Sequence, residues 1–161
     1  MERLWAPWRL AYVTSASGTT NECIFCSKSE AHADLILVRG SLAYVVLNLY
    51  PYNNGHLMVV FNRHIARLAD AAPDELNEVM ALTRASELVL AEAYSPHGFN
   101  TGLNIGKSGG AGVLDHLHVH IVPRWNGDTN FMTVTGETRV LPEELFQTAA
   151  RLRPLFLRLA D

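Results

Sequence analysis

The chain has 161 residues, 48% of them apolar and 18% charged, with 13 Lys and Arg against 16 Asp and Glu for a formal charge of −3. That length is about one domain's worth, and the apolar share is enough to bury a core. The negative balance excludes a surface built throughout for nucleic acid or anionic lipid, and no apolar run approaches the roughly 18 residues of a membrane span.

Taken in chain order, residues 1–21 read as an N-terminal arm with bulky aromatics (Trp5, Trp8, Tyr12) and no apolar stretch of the signal-peptide kind, so cytoplasm is the expected compartment. Strands are predicted over residues 35–38, 42–47 and 56–60, the last two joined by a loop through Tyr50, Pro51, Tyr52, Asn53, Asn54 and Gly55. Pro73, Asp74 and Glu75 open a helix, because Pro suits the first helical position and acids complement the dipole. Leu76, Val79, Met80, Leu90 and Tyr94 follow on its predicted inner face, and Ser95–Pro96 stops it. Further strands are predicted over residues 101–105 and 117–122. A second helix opens at Pro142, with Leu145, Phe146, Ala149 and Leu152 inward and Pro154 kinking or ending it. The pattern is that of an α+β domain with a mainly antiparallel sheet, one long central helix and a C-terminal helix.

The densest chemistry lies in the run from His116 to Val122. Side chains alternate on a strand, so His116, His118 and His120 share one face while Leu117, Val119 and Ile121 share the other. Successive histidines then stand about 6.5–7 Å apart in Cα position along the strand. Imidazole titrates near neutral pH, which suits nucleophilic attack and proton transfer, although a histidine-rich polar face or a metal comb has the same pattern. The only cysteines, Cys23 and Cys26, are too few for a disulfide scaffold. Their C-x-x-C spacing suits half of a tetrahedral zinc site, a redox pair or an unoccupied pair of thiols, and no thioredoxin-like β-α-β pattern follows them. Lys107, Ser108, Gly109, Gly110, Ala111 and Gly112 form a glycine-rich loop able to bring N–H groups close to phosphate, without the order of a P-loop.

With Pro123–Arg124 behind it, the row His116-x-His118-x-His120 resembles the signature of the histidine triad family of nucleotide hydrolases and transferases. The likeness extends through Asn48, Gly55–His56 and Asn104 and covers most of residues 22–126. The flanks, Leu4–Trp5–Ala6–Pro7–Trp8–Arg9 and the run from Pro123 to Phe131, are similar to the bacterial branch that includes diadenosine tetraphosphate phosphorylases. The resemblance implies a single domain over residues 1–161, with an arm (1–21), a core (22–126) and a C-terminal extension (127–161). It also implies cleavage of dinucleoside polyphosphates at an α-phosphate. In that scheme His118 attacks phosphorus, its other ring nitrogen donating to a carbonyl, and His120 and His56 meet phosphate oxygens or bridging atoms. Asn48 takes the ribose hydroxyls, Ile24 and Phe25 the base, and Asn104 the phosphates or the triad backbone; Lys107, Ser108, Gly110 and Gly112 surround phosphate. Cys23, Cys26, His64 and His116 hold a structural zinc; His116 also counts as the third catalytic histidine of the row, and if it binds zinc it braces the strand rather than donating a proton. A homodimer is expected, with no nucleic acid or membrane partner.

One departure bears on substrate choice: Gly112 and Val113 stand where many members carry Gln with Ser or Thr. The acceptor is phosphate or water, and Lys107, Arg124 and the loop amides are the nearest groups in sequence to meet an incoming phosphate. A nucleoside phosphoramidate hydrolase uses the same residues. A regulatory nucleotide-binding module needs no nucleophile, and His118 argues against it. The histidine–proline–histidine form of the uridylyltransferases is absent.

Overall fold

A computed structural model describes residues 23–26, 33–128 and 143–160. The N-terminal arm with Trp5, Trp8, Arg9 and Tyr12, the segment 129–131 and Pro142 lie outside the described residues. Five strands, β1 (Ile36–Arg39), β2 (Ala43–Leu47), β3 (Leu57–Phe61), β4 (Gly98–Leu103) and β5 (His118–Arg124), form one sheet in the order β1-β2-β3-β5-β4. Every neighbouring pair is antiparallel. Helix α1 (Pro73–Tyr94) links β3 to β4, and helix α2 (Leu145–Ala160) follows the sheet. The α+β architecture expected from the sequence is the one observed.

One face of the sheet makes the main core. Ala43, Val45 and Leu47 of β2, Leu57, Val59 and Phe61 of β3, and Val119 and Ile121 of β5 pack there with Val79, Val89 and Leu90 of α1 and Ala149, Leu152 and Phe156 of α2. The alternate residues turn to the opposite face, where Tyr44, Val46, Met58 and Val60 form a smaller buried cluster against Phe25, Leu35 and Ile36. Because Val60 pairs with His118 and Met58 with His120, this second face is also the histidine face.

The helices depart from the predicted pattern in two places. Met80 is 63% exposed, and the buried stripe of α1 runs instead through Val79, Thr83, Ser86 and Leu90. The hydroxyls of Thr83 and Ser86 donate back to the carbonyls of Val79 and Leu82, which lets small polar residues occupy a buried stripe. Phe146 is 68% exposed, because it lies about a quarter-turn off the stripe of Ala149, Leu152 and Phe156. Helix α2 continues past Pro154 to Ala160, so the proline does not end it, and the ring sits on the exposed side.

Strand β4 begins at Gly98, ahead of the predicted residue 101, and β5 extends through Pro123. Proline is tolerated there because β3 pairs with β5 only as far as Ile121, leaving Pro123 with β4 alone. No described helix is long and apolar enough to cross a membrane.

Candidate active site and metal centre

The residues singled out in sequence converge on the second face of the sheet. His118 and His120 project from β5, His116 lies just ahead of it, and His56 precedes β3. The rings of His118 and His120 are 4.7 Å apart, and those of His56 and His120 are 5.1 Å apart. Phe25 packs its ring against both His116 (5.3 Å) and His118 (5.1 Å), and its carbonyl accepts the Tyr44 hydroxyl at 3.2 Å. Burial of that hydroxyl pushes the Tyr44 pKa up to about 12, so it stays a donor at any ordinary pH.

Hydrogen bonds assign a tautomer to each ring, since a carbonyl can only accept and an amide N–H can only donate. His116 Nε2 donates to the Phe61 carbonyl at 2.7 Å, leaving the Nδ1 lone pair facing the cysteines. His118 Nδ1 donates to the His116 carbonyl at 2.9 Å, leaving the lone pair on Nε2. His56 Nδ1 accepts the Tyr52 amide at 3.0 Å, so the His56 proton is on Nε2 and is donated to His120 Nδ1, also at 3.0 Å. That places the His120 proton on Nε2. Asn104 Nδ2 stands 3.5 Å from this nitrogen, and a flip of the amide sets the Asn104 oxygen against the N–H. Burial lowers the pKa of His118, so this ring is neutral at neutral pH. A bare Nε2 on a neutral imidazole is a nucleophile, and the adjacent His120 Nε2–H is a donor to oxygen.

The thiols and two imidazoles form a second constellation. Cys23 Sγ is 3.3 Å from His116 Nδ1, Cys26 Sγ is 3.4 Å from the same nitrogen, and Cys26 Sγ is 3.3 Å from His64 Nδ1. The four donor atoms all lie within 4.8 Å of one another. A tetrahedral zinc with ordinary bond lengths holds S and N donors about 3.3–3.8 Å apart, so the set fits such an ion. The Phe61 carbonyl takes the other nitrogen of His116, as second partners of metal-bound histidines do.

The remaining expected residues occupy varied positions. Asn48 lies over His56, its Nδ2 3.3 Å from Nδ1, while its Oδ1 accepts the Tyr50 amide. His56 is fully buried, and its two nitrogens are engaged by Tyr52 and His120. Ile24 is 56% exposed. Lys107 and Ser108 are exposed, whereas the amides of Gly109, Gly110 and Ala111 turn inward to the carbonyls of Gly106 and Lys107. Gly112 is half-buried. Arg124 is engaged by Asp128 in two hydrogen bonds (2.6 and 2.9 Å) and by Asn100.

Several contributors escape the sequence reading. The main-chain N–H of Tyr52 and the carbonyls of Phe61 and His116 carry no side-chain signature. Tyr44, Val46, Met58 and Val60 line the floor beside His118; they come from uniformly apolar strands, where only the register shows which face each residue takes.

Sheet, long helix and histidine face together define a histidine triad protein, and a family model described as the HIT domain matches residues 29–127. The chain belongs to this family. It is 42% identical over 157 residues to an AP-4-A phosphorylase of Mycobacterium tuberculosis, covering 92% of this chain and 80% of that one. It is 30% identical over 122 residues to a bis(5'-nucleosyl)-tetraphosphatase (asymmetrical) of Schizosaccharomyces pombe, covering 76% and 63% respectively. A solved structure of a hypothetical histidine triad nucleotide-binding protein from Sulfolobus tokodaii superposes with a TM-score of 0.68 at 27% identity, over 85% of this chain and 93% of that one.

Proposed function

We propose that this protein is an enzyme that cleaves dinucleoside polyphosphates of the diadenosine tetraphosphate type at an α-phosphate, with phosphate as the acceptor. The observation that carries the reading is His118: a buried, neutral ring whose Nδ1–H is held by the His116 carbonyl, so that its lone pair is on Nε2. In the first half-reaction Nε2 bonds to the α-phosphorus and the bond to the departing polyphosphate oxygen breaks. His120, with Nε2–H, stabilises charge on that oxygen, and Phe25, backed by the buried cluster of Tyr44, Val46, Met58 and Val60, meets the base together with Ile24. In the second half-reaction a phosphate oxygen bonds to phosphorus and returns the electron pair to His118. Arg124 is held by Asp128, so Lys107 is the cation this reading assigns to the incoming phosphate. The name of the 42% identical relative supports phosphate over water.

Cys23, Cys26, His64 and His116 hold a structural zinc in this reading, the ion bracing the strand outside the reaction. Unbridged cysteines serve as ligands in a reducing compartment, which supports the cytoplasm. The whole chain acts as one domain. A homodimer joined through β4, an edge of the sheet, fits the same reading and is tested by light scattering. The deciding assay is product analysis with diadenosine tetraphosphate across a phosphate titration. Phosphorolysis yields ADP and ATP. AMP and ATP at a phosphate-independent rate would make the enzyme a hydrolase, and no cleavage would overturn the reading.

A further inference from the structure

We propose that Asp128 is a positioning residue for His120, acting through Asn53 and the loop that carries Tyr52; this rests on the reading of His120 as a donor to the substrate. Asp128 stands in the run from Pro123 to Phe131, and no step of the proposed reaction uses its carboxylate. Its side chain is 9% exposed. Oδ2 accepts from Asn53 Nδ2 at 2.8 Å, from Arg124 Nε at 2.6 Å and from the Trp125 amide at 3.1 Å, while Oδ1 accepts from Arg124 Nη2 at 2.9 Å. Asn53 Nδ2 also donates to the Pro123 carbonyl at 3.2 Å, and Arg124 Nη1 donates to Asn100 Oδ1 at 2.6 Å. The carboxylate therefore ties the loop before β3 to the end of β5, and through Arg124 to β4.

What is tied is the segment that decides the polarity of the histidine chain. Asn53 follows Tyr52, whose N–H selects the His56 tautomer, and its own carbonyl accepts the His56 amide at 3.2 Å. Asn53 Oδ1 accepts the Asn54 amide at 3.1 Å, so the side chain bonds on both sides. A carboxylate suits this place because the Asn53, Arg124 and Trp125 groups that meet it are all donors; an amide at this position offers one oxygen and sets an NH2 against another donor. With the clamp loosened, the Tyr52 N–H no longer holds His56 Nδ1 at 3.0 Å, and only the longer contact from Asn48 Nδ2 at 3.3 Å is left to it among the described donors. His56 then samples the tautomer with its proton on Nδ1, the His56–His120 hydrogen bond reverses, and His120 Nε2 loses its proton to Nδ1 of the same ring. No proton is gained or lost overall. Only the direction of donation changes, and with it the ability of His120 to meet an oxygen.

The test compares wild type with Asp128→Asn and Asn53→Ala on two substrates. Diadenosine tetraphosphate expels a polyphosphate oxygen that needs stabilisation, whereas the p-nitrophenyl ester of AMP expels a phenolate that departs unaided. Both variants are expected to lower kcat on the first substrate about tenfold to a hundredfold with KM within about twofold. On the ester, kcat stays within about threefold of wild type, and the double variant is no worse than the poorer single one by more than about twofold. Imidazole nitrogen NMR of the ligand-free proteins is expected to show His120 protonated at Nε2 in wild type and a mixture of tautomers in the variants. Unchanged tautomers, an equal loss on both substrates, or a loss confined to KM would overturn the proposal. The NMR result stands whichever substrate the enzyme uses: a wild type that fails to cleave diadenosine tetraphosphate refutes the functional reading, while the tautomers still decide the clamp. Asn53→Ala removes only a neutral amide, which keeps the test open if Asp128→Asn does not fold.

Discussion

The two ends of the histidine row use one side chain for opposite purposes. At the His116 end the proton is on Nε2, held by the Phe61 carbonyl, and Nδ1 turns its lone pair to two thiols. Two residues further on, His118 carries its proton on Nδ1, held by the His116 carbonyl, and presents Nε2. His120 reverses the pattern again, because His56 donates to its Nδ1. The difference teaches that residue type and strand periodicity set the row, whereas main-chain carbonyls and amides decide which member can bind metal, attack phosphorus or donate a proton. In this account the His116 end is architecture and the other end is chemistry.

That division is broken most sharply at His118. His118→Ala is expected to lower turnover about a thousandfold or more while AMP still binds, because the ring is lost from the site and the core face of β5 is untouched. Steady-state kinetics together with calorimetric titration of AMP check both halves. Loss of metal at the other end acts mainly on stability. Cys23→Ser, or chelation of the wild type, is expected to lower Tm by about 5 °C or more while kcat per folded molecule stays within about threefold. Metal analysis of protein purified without chelator is expected to find one zinc per chain. A folded, active and metal-free preparation would remove the architectural role.

Smaller effects sharpen the same contrast. The Tyr44 hydroxyl ties the turn between the cysteines to the sheet through the Phe25 carbonyl, so Tyr44→Phe should cost about 0.5–1.5 kcal/mol in denaturant unfolding. The smallest effect concerns Arg63, the neighbour of His64, which bonds Glu75 at 3.0 and 2.7 Å. The guanidinium, helped by the Ala72 amide, holds the Glu75 carboxyl down at about 2, against an ordinary value of 4.5. A carboxyl pKa lowered by folding stabilises the native state above its ordinary value, and that contribution fades as pH falls towards about 2. The Tm difference between wild type and Glu75→Gln should therefore be largest above pH 4.5 and shrink through that window.

Much of this arrangement was legible in the chain. The alternation of Leu117, Val119 and Ile121 with the histidines separates a core face from a functional one, and the cysteine spacing announces half of a metal site. The helix start at Pro73 is equally plain, with the Glu75 carboxylate accepting the Ala72 amide. Size and apolarity point Met80 and Phe146 inward, yet tertiary packing gives those stripes to Thr83 and Ser86 in one helix and to Phe156 in the other. The task of His56 was hidden for another reason. Its place in the row depends on the Tyr52 main-chain N–H, which any non-proline residue supplies, and on a loop tied to Asp128 from 75 residues away.

The central claim, that His118 alone in the row carries the nucleotidyl group, is tested by rapid quench followed by peptide mass spectrometry. A phosphorus–imidazole bond is labile in acid, so the quench is alkaline, and the substrate is diadenosine tetraphosphate without phosphate. The account predicts that an adenylyl group accumulates on His118, disappears when phosphate is added, and is absent from His116, His120 and His56. An adenylyl group on another residue, or product formed in a single turnover with no group on His118, would contradict it.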